Sequence, residues 1–127
     1  MNMVVDIIKI SPVSTERIDY STLVFKIVLP QKLDVDNAKD LWFYLSTLIT
    51  GGALKIYLEM NKLEYIDSSG IGVIINAAKM VRLKKGDIVI ANISDDIRNI
   101  FKVINLENFI KIYGSEVEAV NSFRYVT

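Results

Sequence analysis

From Ala53 to Met60 the chain alternates, with Leu54, Ile56, Leu58 and Met60 on one side and Lys55, Tyr57 and Glu59 on the other. That period of two predicts a β-strand. From Ile71 onward the apolar positions Ile71, Ile74, Ile75, Ala78 and Val81 fall three and four residues apart, which predicts a helix reaching about Leu83. Between the two patterns lies Tyr65-Ile66-Asp67-Ser68-Ser69-Gly70-Ile71-Gly72. Two adjacent hydroxyls and a carboxylate are thus expected where a helix begins.

The same reading covers the rest of the chain. Val4 to Ile10 and Thr22 to Leu29 are β-rich runs and read as two strands joined by a polar loop from Ser11 to Ser21. Pro30 ends the second strand because it has no N–H to give to a ladder. Asp36 or a neighbour is expected to cap the next helix. Ala38, Leu41, Trp42, Leu45, Leu48 and Ile49 form its buried stripe, Phe43 and Tyr44 lie towards the edge, and Gly51-Gly52 stops it. After the central helix, Lys84-Lys85-Gly86-Asp87 reads as a turn and Asp87 to Ile93 as a strand buried on both faces. Ser94-Asp95-Asp96 opens a third helix, with Ile97, Ile100, Phe101 and Ile104 as its core face. Asn105 is expected to end it in the left-handed conformation. Phe109 to Tyr113 reads as a short last strand, and Ser115-Glu116-Val117-Glu118 as a capping box opening a final helix.

Strand and helix alternate from Ala53 onward, the signature of parallel βα units. The fold class is α/β: a single-layer mixed, mostly parallel sheet of about five strands with about four α-helices. Residues 1–127 are expected to form one domain.

Composition narrows the function classes. Half the residues are apolar, and fifteen basic residues balance fifteen acidic ones. A chain with no basic surplus is not built to bind the phosphate backbone of nucleic acid. The local group Lys79, Arg82, Lys84 and Lys85 reads as a solvated helix end, where cations are favourable. There is no cysteine and no histidine, so disulfides, thiolate or imidazole metal sites and a Ser-His-Asp triad are all excluded. The N-terminus has no signal-peptide pattern, and no apolar run reaches the ~20 residues that span a bilayer. A cytoplasmic protein without membrane contact is the expectation.

Enzymatic motifs are weak or missing. Gly70-Ile71-Gly72 resembles the start of a dinucleotide fingerprint, but Ile75 stands where the third glycine belongs. No Gly-Lys-Ser/Thr pair or Gly-x-Ser-x-Gly elbow occurs. Ser68 or Ser69 is the natural N-cap of the second helix by residue preference. Asp67 reads equally well as a turn or cap residue and as a binding residue. A helix start also favours an anion, since its first N–H groups lack partners and its dipole is positive there.

The run Leu63-Glu64-Tyr65-Ile66-Asp67-Ser68-Ser69-Gly70-Ile71-Gly72-Val73-Ile74 resembles the signature of STAS domains, and within them the bacterial anti-sigma-factor antagonists. Leu33-Asp34 with Asn37-Ala38, Gly86-Asp87-Ile88-Val89-Ile90, Ile93-Ser94, Ile100-Phe101, Ile104-Asn105-Leu106 and Phe109 are similar to further segments of that family, from the second strand to the end. The chain departs from it at Gln31-Lys32, where the family often has Gly-Glu, and in the length of the Ser11 to Ser21 loop.

The resemblance implies a regulator rather than an enzyme. Ser68, with Ser69 as the alternative, is then the phosphorylated residue, and the partner is an anti-sigma factor that is itself a serine kinase. ATP and magnesium belong to that partner, so the chain needs no cofactor or metal of its own. A serine phosphatase resets the switch. Asp34, Asn37, Asp67, Ser68, Ser69, Gly70 and Ile71 form the expected partner-binding surface, with Val73, Ala77 and Met80 as a possible apolar strip beside it. Two other readings stay open: a STAS ligand-sensing or scaffold module holding a nucleotide or small anion at the helix start, and a serine hydrolase.

Overall fold

The computed structural model describes residues 3–9 and 23–123, so the predicted loop from Ser11 to Ser21 lies outside the described residues. Strands β1 (Val4–Lys9) and β2 (Leu23–Val28) are followed by a two-residue strand β3 (Lys32–Leu33) and helix α1 (Ala38–Thr50). Then come β4 (Lys55–Glu59), a second two-residue strand β5 (Tyr65–Ile66) and helix α2 (Ser68–Leu83). β6 (Asp87–Ala91), α3 (Asp95–Val103), a 3₁₀ turn (Leu106–Asn108), β7 (Lys111–Tyr113) and α4 (Glu116–Ser122) complete the described elements.

The main sheet has the order β1-β2-β4-β6-β7, antiparallel between β1 and β2 and parallel elsewhere. This is the mixed, mostly parallel sheet expected from the sequence. Each new parallel strand is added on the same side of the last. Right-handed crossovers then deliver their helices to one face. Accordingly α1, α2 and α3 share one core, in which Leu41, Leu45, Ile49, Ile74, Ala78, Val81, Ile97 and Phe101 meet Ile27, Ile56, Leu58, Ile88 and Ile90 of the sheet. The opposite face is covered by α4, where Ala119, Val120 and Phe123 pack on Val24, Tyr57, Val89 and Ala91.

That second core buries the polar-looking side of β4 as well: Tyr57 is fully buried and Glu59 is 6% exposed. A buried carboxylate is tolerated only when fully hydrogen-bonded. Glu59 Oε1 accepts from the Tyr57 hydroxyl and from Asn92 Nδ2 (2.7 Å), and Oε2 accepts from the backbone N–H of Asn61 (3.0 Å). Asn92 sits just past β6 with φ of 63°, a left-handed geometry that asparagine accepts more readily than most residues. Nearby, Lys26 on β2 pairs with Glu116 at the start of α4 (2.6 Å), and the pairing raises the lysine pKa, chiefly through that hydrogen bond.

Other local expectations hold or shift. Ser94 caps α3 by accepting from the N–H of Ile97 (3.2 Å), Asn105 is left-handed with φ of 57°, and Ser115 accepts from Glu118 N–H (3.2 Å). At α1, however, Asp36 does not cap. Asn37 occupies the N-cap position, and no side chain caps the helix. Trp42, expected in the buried stripe, is 38% exposed. Ala77, expected off the core, is fully buried. At its far end α2 is tied down by Arg82, whose Nε donates to Asp87 Oδ1 (3.0 Å) while its guanidinium stacks 4.5 Å from the centre of the Phe109 ring.

Two outcomes follow for the polar knot under α4. Replacing Glu59 with Ala removes the acceptor of three hydrogen bonds, one of them from the buried Tyr57 hydroxyl, and is expected to lower unfolding free energy by about 1–3 kcal/mol, read by urea denaturation. Burial, then the hydrogen bond to the Glu59 carboxylate, pushes the Tyr57 phenol above its ordinary range. In the unfolded chain that phenol ionises near pH ~10. Because the folded state holds the proton longer, stability falls as pH rises beyond that point. Near-ultraviolet phenolate absorbance should show Tyr57 ionising only together with alkaline unfolding.

Candidate functional site

The two short strands explain how distant segments meet. Parallel β3–β5 pairing sets Lys32 against Tyr65 and Leu33 against Ile66. The contact continues on both sides: Gln31 O accepts from Glu64 and Tyr65 N–H, Gln31 Nε2 donates to Glu64 Oε2 (2.6 Å), and Leu33 O accepts from Asp67 N–H (3.1 Å). The segment entering α1 therefore runs beside the segment entering α2.

Asp67 fastens the two together. Its Oδ1 accepts from the N–H groups of Ser69 (2.9 Å) and Gly70 (3.1 Å), and its Oδ2 accepts from Val35 N–H (3.0 Å). Asp67, with extended backbone, is the N-cap of α2. The expected serine cap is thus corrected: an aspartate in this position satisfies two of the orphan N–H groups and places negative charge at the positive end of the dipole. Ser68 becomes the first residue of the helix. Its hydroxyl is exposed and has no hydrogen-bond partner among the described residues.

Ser69 is half-buried beside it, and Gly70 is buried. A Cβ at Gly70 would lie 2.7 Å from Leu33 Cγ and 3.0 Å from Leu33 O, so only glycine lets α2 start this close to β3. By contrast, a Cβ at Gly72 would meet nothing within 4 Å. The packing contact therefore explains Gly70 and leaves Gly72 without a steric reason.

Of the other expected site residues, Asp34 and Asn37 stand in the loop that Asp67 holds. Asp34 Oδ1 accepts from Asp36 N–H (3.0 Å), and Asp34 O accepts from Ala38 N–H (2.8 Å). Asn37 Oδ1 accepts from Asp34 N–H (2.9 Å) while its Nδ2 donates to Lys32 O (2.7 Å). Both side chains shape the loop, and both remain half-exposed. Ile71 is half-buried on the first turn of α2. Asp34, Asn37, Asp67, Ser68 and Ser69 therefore lie where the two segments meet, with Gly70 buried beneath them. Of the apolar strip, Val73 and Met80 are half-buried and Ala77 is core.

Comparison with known proteins bears on this arrangement. The family model described as the STAS domain matches residues 13–119, most of the chain and the whole of this surface. The chain is a STAS domain. It is 29% identical over 101 residues to a candidate anti-sigma factor antagonist of Thermotoga maritima, a match covering 77% of this chain and 88% of the relative. It is 25% identical over 95 residues to the anti-sigma-B factor antagonist of Staphylococcus aureus, covering 74% and 88%. Among solved structures, the anti-sigma factor antagonist SpoIIAA in its unphosphorylated form superposes with a TM-score of 0.71 at 23% identity, over 82% of this chain and 90% of that one. The phosphorylated form of the same Bacillus protein gives 0.64 at 21% identity, over 94% and 98%. These two likenesses establish a shared fold.

Neither short strand was read from the sequence, because two residues are too few to carry a period. Nor was the Asp67–Val35 hydrogen bond, which joins positions 32 residues apart. Within the described residues no helix of this STAS domain is long and apolar enough to cross a membrane, and no cluster of potential ligands could hold a metal ion.

Removing the clamp isolates its contribution. Asp67→Ala should cost about 0.5–2 kcal/mol of stability through the lost cap. It should also raise amide hydrogen exchange at Val35 and Ser69, whereas a cap without the cross-link would leave Val35 unchanged.

Proposed function

We propose that this STAS domain is an anti-sigma factor antagonist. Unphosphorylated, it binds an anti-sigma factor that is also a serine kinase, and it is released once that kinase phosphorylates Ser68. A serine phosphatase restores the binding form, and sigma-factor-dependent transcription follows the balance. Asp34, Asn37, Asp67, Ser69, Gly70 and Ile71 supply the surface around the serine. The chain acts as substrate and ligand, and the nucleotide belongs to its partner.

The observation that carries this reading is the exposed hydroxyl of Ser68, without a hydrogen-bond partner among the described residues, beside a cap made by a different residue. Had Ser68 been the cap, phosphorylation would have removed a hydrogen bond that the helix uses. With Asp67 in that role, the Ser68 oxygen can be modified while both capping bonds stay. Half-burial of Ser69 favours Ser68 over its neighbour. The named relatives, among them one protein solved with and without phosphate, support the same assignment.

Charge arithmetic makes the switch plausible in magnitude. A phosphoserine adds about −1.5 to −2 charges near neutral pH. At its own helix N-terminus that charge gains about 0.3–1 kcal/mol, so the bearer stays folded. Against a partner carboxylate ~5 Å away, each pair of unit charges costs about 3 kcal/mol at an effective dielectric near 20. That is about a hundredfold in affinity.

The test is incubation with anti-sigma factor kinases and Mg-ATP, followed by mass spectrometry. One phosphate on Ser68 is the expected product, and modification at Ser69 or at neither serine contradicts the assignment. With the kinase so identified, Ser68→Ala should bind and resist phosphorylation. Ser68→Asp should keep its melting temperature and bind roughly a hundredfold more weakly.

A further inference from the structure

Helix α4 covers only part of its face of the main sheet. It has seven residues, about 10 Å of length, and lies over Val24, Tyr57, Val89 and Ala91. Strand alternation puts Lys55, Asp87 and Lys111 on that same face, since Lys55 stands opposite Asp87 and Lys111 opposite Val89 in the ladders. Where α4 stops, a cavity of about 400 Å³ opens between its last turn and the starts of β4, β6 and β7. That volume lies within the range of small-molecule sites.

The lining is apolar inside and cationic outside. Val89 and Phe123, both buried, and half-buried Leu54 form the floor, while Lys55, Lys85 and Lys111 add positive charge. The one carboxylate among the described lining residues, Asp87, already receives Arg82 Nε (3.0 Å) and the Ile88 N–H (2.8 Å). Glu107, which shares a neighbouring hollow with Lys111, faces Arg98 at 4.0 Å. Neither Lys85 nor Lys111 has an ion pair among the described residues, so both leave positive charge uncompensated.

The turn that carries Lys85 is fixed in place. Lys85 N–H donates to Arg82 O (3.0 Å) and Gly86 N–H to Val81 O (2.9 Å), the Schellman ending of a helix. Glycine usually takes the left-handed residue of that motif, but here it is Lys85, with φ of 66°. The glycine is needed one position later, where a Cβ at Gly86 would lie 2.2 Å from Leu54 O. A lysine is thus held at the cavity in a conformation that most side chains avoid.

We infer that this cavity binds a small organic carboxylate with an apolar body, the body resting on Leu54, Val89 and Phe123 and the acid meeting Lys85 and Lys111. A phosphate is the poorer match. Free guanidinium forks and helix N-termini favour phosphate. No helix N-terminus is among the described lining residues, and Arg82, which reaches Asp87, is engaged there and by Phe109 O. α4 contributes its C-terminal end, Ser122 and Phe123, which disfavours a second negative charge. The site stands apart from Ser68, at the other end of the sixteen-residue α2, about 24 Å along the helix.

The experiment titrates octanoate into the isotope-labelled full chain and follows backbone amide shifts. Saturable binding that moves Gly86, Val89 and Phe123 and leaves Val35 and Ser69 in place is the expected result. Acetate, which lacks the body, and octanamide, which lacks the charge, should each bind at least tenfold more weakly. Lys85→Gly supplies the residue that the left-handed position prefers, so it should raise the melting temperature while weakening octanoate severalfold. Lys111→Glu should weaken it at least tenfold, and Lys39→Glu, outside the cavity, should change nothing. An affinity unchanged in both Lys85→Gly and Lys111→Glu overturns the proposal, as do shifts that spread over the surface without saturating. If octanoate binds only after residues 124–127 are deleted, the chain's own terminus owns the cavity and the proposal is wrong.

Discussion

Everything at this end of the domain hangs from one carboxylate. Asp67 accepts three backbone N–H groups, two at the start of α2 and one from the loop that enters α1. Hydrogen bonds to an ionised acceptor are stronger than neutral ones, and here they also join segments far apart in the chain. The β3–β5 pairing brings those segments within reach, and Gly70 lets the helix start against Leu33 without a clash. Remove any one and the serine loses a defined position relative to the loop beside it.

This arrangement separates two tasks that one serine could have combined. Asp67 does the capping, so the adjacent hydroxyl is left over. In chemical terms the turn offers an exposed hydroxyl on a support that does not depend on it. Helix α2 is also tied at its far end, through Arg82 to Asp87 and Phe109, and its buried face packs against the sheet.

Much of this was legible in the residues. The alternation in β4 and the helical spacing in α2 located the strand-turn-helix unit, and Ser94, Asn105 and Ser115 marked local boundaries by chemistry that acts over a few residues. What stayed hidden depends on partners distant in sequence. Tyr57 and Glu59 look like a solvent face until α4 is known to fold back over them. Trp42 fits the apolar stripe by spacing, yet is 38% exposed. Asp67 was read as cap or binder, and the third hydrogen bond that makes it a clamp spans 32 residues. The serines matched the preferred cap type, but preference does not say which of three adjacent polar residues takes the position. Membership in the STAS family came through the motif.

The knot around Glu59 has one more implication, concerning alignment of the sheet. Glu59 lies opposite Ala91 in the β4–β6 ladder, and the donor Asn92 is the next residue along. Sliding β6 by two positions would keep apolar side chains on the same face, so packing alone discriminates weakly against it. It would also carry the Asn92 amide away and leave a charged oxygen facing an apolar lid. The polar knot therefore works as a key cut for a single stagger of the two central strands.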